Sequence, residues 1–273
     1  MKKIILAADG KNFPVGAFEF IKELNQSEGL LLTGAFLHAI NFEEFLPGVF
    51  ANYPGPVIDF IEEEKLLVKK QVQHFEELCK RNGIEYRVHE ESMNWDIEDL
   101  AKETRFADMM IMSEELFCNE FSQGEPNSFM QQTIHRSECP VVCVPEKFKP
   151  FNKVVFAYDG KKDSMYALKQ FCHLFPQFSK KETNIVYAKE GEDDVIPDMG
   201  YLEEYAGRHF ENLNFEKLPF NGKKHFGEWA KEKDDILLVS GSYGRSGLST
   251  SFNKSFVEDI IREHHIPVFI AHN

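Results

Sequence analysis

The sequence predicts an α/β protein built as two tandem doubly wound parallel-sheet domains. Three observations carry that reading: the chain repeats itself once, each copy alternates short apolar runs with amphipathic stretches, and the first run of each copy ends in Asp-Gly. Lys3-Ile4-Ile5-Leu6-Ala7-Ala8-Asp9-Gly10-Lys11 returns 150 positions on as Lys153-Val154-Val155-Phe156-Ala157-Tyr158-Asp159-Gly160-Lys161. Ala107-Asp108-Met109-Met110-Ile111-Met112-Ser113 matches Asp234-Asp235-Ile236-Leu237-Leu238-Val239-Ser240. Cys139-Pro140-Val141-Val142-Cys143-Val144 matches Ile266-Pro267-Val268-Phe269-Ile270-Ala271, now only 127 positions on, so the second copy is 23 residues shorter inside. Three blocks in the same order mean a tandem duplication. The expected domains are residues 1–146 and 152–273, joined through Glu146-Lys147-Phe148-Lys149-Pro150-Phe151-Asn152, a charged stretch with a proline that reads as a linker.

In the first copy, the unbroken apolar run Lys3 to Ala8 suits a strand covered on both faces. Phe13 to Leu24 sets Ala17, Phe20, Ile21 and Leu24 at helical spacing. Leu30 to Ala39 is a second strand, followed by a loop rich in aromatics, proline and glycine (Phe42 to Pro56). Val57 to Arg81 is a long amphipathic helix stopped by Asn82-Gly83. Ile84 to His89, Met109 to Met112 and Val141 to Val144 are strands, with helices at Trp95 to Thr104 and Phe129 to Arg136 between them. The second copy follows the same order, with the shorter segment Ile196 to Phe210 where the first has its long helix. Strands alternating with helices at this spacing form a parallel sheet with helices on both faces. Ligands of such sheets sit beyond the carboxyl ends of the strands, where the strand order reverses. Asp9, Asp159 and the residues after Val239 fall there.

Composition narrows the function. There are 31 Lys and Arg against 45 Asp and Glu, a net charge of -14, which disfavours nucleic acid. Hydrophobic residues at 42% and charged residues at 28% are those of a folded globule. No apolar run approaches the ~20 residues that span a bilayer, so no membrane association is expected. The apolar stretch of MKKIILAADG is short and runs into Asp9-Gly10 without a cleavage site for a secretory leader. Five cysteines without a Cys-x-x-Cys pair read as buried free thiols in a reducing, cytoplasmic protein.

The most informative stretch is Ser240-Gly241-Ser242-Tyr243-Gly244-Arg245-Ser246-Gly247-Leu248-Ser249-Thr250, between the strand Ile236 to Val239 and a helical segment, Phe252 to Arg262. Glycines admit an anion close to backbone amides, hydroxyls add donors, and a helix N-terminus carries partial positive charge, so the stretch suits a phosphate. The same residues also serve an ordinary strand-to-helix turn.

Gly241 to Leu248, then Ser255, then Ile266-Pro267-Val268, closely resemble the end of a universal stress protein domain. Ile4 to Gly10 and Val154 to Gly160 resemble that family's first strand. The similarity covers nearly the whole chain as two tandem domains, and it implies a Rossmann-like fold of the adenine nucleotide alpha-hydrolase type. It further implies a site for ATP or AMP, with Mg if ATP, in the second copy. The family's G-x-x-G, nine residues, then G-[ST], falls on Gly241, Gly244 and, with a departure, Lys254-Ser255; Arg245 lies in the same loop, and the family's Asp is Asp159. A lysine at 254 crowds the place where glycine allowed close approach. It either points to solvent beside an altered pocket or reaches a bound phosphate.

The first copy has Ser113 and Leu116 at the two glycine positions and brings Glu114, Glu115 and Glu120 to the loop, so no nucleotide is expected there. By the same resemblance Val141 to Val144 and Val268 to Ala271 pair antiparallel inside one chain, a pseudo-dimer, and a homodimer is a further form of self-association.

No other constellation suggests chemistry. His264-His265 and His38 lack a second ligand at metal spacing, and Glu62-Glu63-Glu64 and Glu90-Glu91 read as solvated charge. No G-x-S-x-G elbow surrounds Ser242 or Ser246. Phe42, Phe45, Phe50 and Tyr53 form a loop that reads as a lid on its own domain. The function expected is a stress-response sensor or binding module. The alternatives are a slow ATP-hydrolysing or nucleotide-transferring enzyme with Asp159 as metal-binding acid, and an interaction scaffold without nucleotide.

Overall fold

The computed structural model describes residues 1–10, 12–37, 54–89, 97–114, 128–187, 195–218, 229, 235–241, 260–261 and 265–272. The first half runs β1 (Lys2–Asp9), α1 (Val15–Ser27), β2 (Leu30–Leu37), α2 (Pro54–Asn82), β3 (Glu85–Val88), α3 (Ile97–Thr104), β4 (Met109–Ser113), α4 (Ser128–Arg136) and β5 (Val141–Val144). The second runs β6 (Lys153–Tyr158), α5 (Lys162–Leu174), a 3-10 turn (Pro176–Phe178), β7 (Glu182–Tyr187), α6 (Met199–Ala206), β8 (Asn212–Lys217), β9 (Ile236–Ser240) and β10 (Val268–Ile270).

The ten strands among the described residues belong to one sheet, in the order β3-β2-β1-β4-β5-β10-β9-β6-β7-β8. Each half is parallel within itself and carries the same relative order. The seam is antiparallel: Val268 lies opposite Cys143, Phe269 opposite Val142 and Ile270 opposite Val141.

Alternation along β1 distributes the core. Ile4, Leu6 and Ala8 join the apolar layer on one face, while Ile5 and Ala7 join the other. The first layer is capped by α1, α2, α5 and α6 through Phe20, Phe75, Phe171 and Leu202. The second is capped by α3 and α4 through Leu100 and Ile134, with Ile260 and Ile261 added. Both layers cross the seam, so the two halves share their core.

Phenylalanine knits that crossing together. The Phe20 ring of α1 lies 6.4 Å from Phe175 of the second half, and Phe269 on β10 lies 5.4 Å from Phe171 and 5.8 Å from Phe175. The connector between β5 and β6 packs as well. Phe151 is 2% exposed, and Phe148 makes an edge contact to Phe20 at 5.4 Å. Burial of each such ring contributes about 2–3 kcal/mol.

Local chemistry sets the element ends. Helix α1 begins two residues later than the periodicity suggests, because Pro14 carries no amide hydrogen and sits at its N-cap position. Helix α2 ends where predicted: Gly83 has φ +63°, the Ile84 amide donates to the Cys79 carbonyl at 3.0 Å, and the Asn82 side-chain amide donates to the Leu78 carbonyl at 2.8 Å. In the second half Pro197 and Asp198, the latter at φ 53°, shorten the helical segment to α6. Cys79, Cys139, Cys143 and Cys172 are free and buried, and Cys118 lies outside the described residues. Burial pushes the thiols of Cys79, Cys139 and Cys172 up to about 12.

Candidate functional site

The strand order reverses at β6, which pairs with β7 on one side and with β9 on the other. Ala157 lies opposite Ser240 in that register, so the turn at Asp159 and the turn at Gly241 leave the sheet side by side. Two residues far apart in sequence are thereby brought together at the position the sequence assigned to a ligand.

The first turn is tightly determined. Gly160 has φ +76°, a conformation that glycine adopts without strain, and a Cβ there would lie 3.3 Å from the Pro197 ring. The Asp159 carboxylate accepts the Lys161 amide at 3.0 Å through Oδ1, and its Oδ2 lies 3.8 Å from Lys161 Nζ. It is 28% exposed and remains open to solvent. Tyr158 donates its hydroxyl to the Pro197 carbonyl at 3.2 Å. Burial first, then the nearby negative charges of Asp198 and Asp159, push the Tyr158 phenol above its usual value.

The second turn meets the start of α5. Gly241 is buried, and a Cβ built on it would lie 2.2 Å from both the carbonyl carbon and the oxygen of Asp163 and 2.3 Å from the Ser164 nitrogen. Glycine is needed here for backbone to pass backbone. The sequence left this glycine open between a phosphate loop and an ordinary strand-to-helix turn; the close approach to α5 alone already demands it. Asp163 stands in the first turn of α5, where a negative charge is favoured, and its Oδ1 is buried without a hydrogen-bond partner. Ser164 closes the turn by donating to the Lys161 carbonyl at 2.9 Å.

Of the six residues assigned to the site from sequence, Asp159 and Gly241 are thus brought together. Gly244, Arg245, Lys254 and Ser255 lie outside the described residues, as do His38, His264 and the loop from Phe42 to Tyr53. Sequence reasoning missed Tyr158, Asp163 and Pro197. The signals available were the tyrosine directly before Asp159-Gly160, an acid at a helix start, and a Pro-Asp pair before a short helix.

The corresponding place in the first half is built differently. Ser113, which ends β4 as Ser240 ends β9, is buried; it therefore aligns with Ser240, and Glu114, not Ser113 as expected from the sequence, stands at the position of Gly241. The Glu114 side chain is 14% exposed, and its Oε1 lies 2.8 Å from Nδ1 of His265, which belongs to the second half. Among the described residues no group of three or more His, Cys, Asp or Glu is placed to hold a metal ion, and no helix is long and apolar enough to cross a membrane.

These features define a class: a tandem α/β protein whose two halves carry the same parallel strand order and meet on one sheet through an antiparallel seam. No family model matches the chain. Over 98% of its length it is 22% identical to the universal stress protein Slr1230 of Synechocystis sp., covering 99% of that protein. A universal stress protein from Archaeoglobus fulgidus superposes with a TM-score of 0.69 at 18% identity, over 98% of both chains. A Pseudomonas aeruginosa structure provisionally given the same family name superposes at 0.58 and 12% identity, over all of this chain and 93% of the other. The chain has the fold of the universal stress proteins in tandem form, and its full-length sequence likeness is to a member of that family.

Proposed function

We propose that the chain is a cytoplasmic binding module of universal-stress type that takes one adenine nucleotide in the crevice between β6 and β9. The ligand is ATP, with Mg, or AMP. The observation that supports this reading most is the meeting of Asp159 and Gly241 at neighbouring carboxyl strand ends. Asp159 would face the ribose and adenine, with Gly244, Arg245, Lys254 and Ser255 supplying amides, hydroxyl and positive charge to the phosphates. The turns around the carboxyl end of β6 carry Asp159, Asp163 and Asp198 against Lys161 and Lys162, so cations from the loop or from Mg would offset the remaining negative charge. No nucleotide enters the first crevice, where Glu114 stands. On this reading the chain is a pseudo-dimer, which the antiparallel pairing of β5 with β10 supports.

Calorimetric titration with ATP and with AMP tests the reading. One site per chain is expected, weakened in Asp159→Ala; two sites, or none, would sink it. Lys254→Gly decides whether that lysine holds phosphate or blocks it. If phosphate is released and Asp159→Ala abolishes the release, the module is a slow enzyme instead.

The close approach of Gly241 to Asp163 favours a second reading, an interaction scaffold, because it accounts for the glycine without any ligand. Absence of thermal stabilisation by ATP, AMP or simple anions would favour that reading.

A further inference from the structure

Helix α2 runs for 29 residues, about 43 Å, and nothing of comparable length stands among the described residues of the second half, where α6 has eight. Its inward stripe is clear: Glu64, Phe75 and Cys79 are buried and Val68 and Val72 pack against the core. At 100° per residue Leu66 lies opposite this stripe, in the middle of the solvent face. It is 53% exposed, and its neighbour Leu67 is 36% exposed. One turn before Leu66 the same face presents Glu62 and Glu63; one turn after, it presents Lys69 and Lys70, and all four are exposed. None of the four makes an ion pair with another described residue.

This arrangement reads the same from both ends if charge is inverted. We propose that the face is the docking site for α2 of a second copy of the chain, antiparallel, with a two-fold axis beside Leu66. The two Leu66 side chains then meet on the axis. Glu62 faces the partner's Lys69 and Glu63 the partner's Lys70, each pair on its own side of the seam, and the symmetry repeats both pairs. A parallel arrangement in register would set acid against acid and base against base. Because each chain carries one such face, the assembly closes as a dimer and does not propagate. A single helix pair buries little area, so the dimer is weak, concentration-dependent and sensitive to salt. The contact is separate from the β5–β10 seam and from the crevices, so it stands whatever the nucleotide result.

Sedimentation velocity of the full chain at low and high salt tests it. The wild type is expected to dimerise with concentration, less so at high salt. Glu62→Lys with Glu63→Lys, or Lys69→Glu with Lys70→Glu, weakens the dimer about tenfold or more by setting like charges together. The quadruple exchange restores it to within about threefold, because complementarity is regained. Leu66→Asp abolishes it. These positions are exposed, so thermal unfolding of the variants is expected to match the wild type. A chain that stays monomeric at its highest soluble concentration overturns the proposal. So does a dimer indifferent to the charge exchanges, or a quadruple variant as weak as either double.

Discussion

His265 Nδ1 lies 2.8 Å from Glu114 Oε1, a contact between residues 151 positions apart that ties the second half to the carboxyl end of β4 in the first. The backbone at His265 is left-handed, φ 49°, so the ring is delivered by a bend just before β10. His265→Ala removes the imidazole from beside a largely buried carboxylate. We expect a loss of about 1 kcal/mol in denaturant unfolding, reduced by the imidazole's exposure. Unchanged stability in the variant would show that the contact holds nothing.

Gly241→Ala is expected to cost about 1–3 kcal/mol with or without nucleotide, since the new methyl would press on the Asp163 backbone at 2.2 Å. Gly16→Ala, whose Cβ would lie 1.9 Å from the Pro145 carbonyl oxygen, is expected to cost a similar amount or more. Urea midpoints measure both. A Gly241→Ala chain of wild-type stability would remove the packing explanation and return the glycine to a ligand.

The Tyr158 phenol keeps its proton to higher pH when folded than when unfolded. Between those two values the unfolded chain holds fewer protons, so stability falls as pH rises through the alkaline range, beginning near the usual tyrosine value of about 10. Tyr205, raised by burial and then by Cys172, acts in the same direction. Stability measured against pH should therefore fall less steeply in Tyr158→Phe, without becoming flat. An identical alkaline limb in variant and wild type would refute this.

Thr33 sits at 0% exposure in β2, and its hydroxyl oxygen is buried without a hydrogen-bond partner. Thr33→Val keeps the shape and removes the unsatisfied group, so the variant should gain about 1 kcal/mol. A loss on thermal unfolding would mean the hydroxyl is solvated or bonded in solution.

Phe175 touches Phe20, Phe171, Phe178 and Phe269, rings from both halves. Phe175→Ala should cost about 3–5 kcal/mol. Calorimetry is expected to show one transition in wild type and variant alike, since the halves share their core; two separated transitions in the wild type would contradict that.

Much of the fold was legible because its signals are local. The runs Ile4 to Ala8 and Val154 to Ala157 are strands covered on both faces, and Asn82-Gly83 stops a helix through its own backbone preference. The place of Asp159, just past the strand at which the order reverses, was legible too, because the alternation of strands and helices in each copy implies that topology. The reason for Gly241 was not. Whether a glycine serves a phosphate or a passing backbone depends on what lies across from it, and Asp163 is 78 positions away in the chain.

The amino-acid sequence by itself determined the duplication, the order of strands and helices in each copy, and the acidic character of the stretch after β4. These follow from periodicity, turn chemistry and charge, which act between near neighbours or leave repeated traces. Only the tertiary structure decided that Glu114 would meet His265, that Asp163 would lie against Gly241, and that Leu66 would be left outward between paired acids and bases. Those outcomes depend on how packed layers bring distant segments together, and close packing sets such contacts through shape across the whole core.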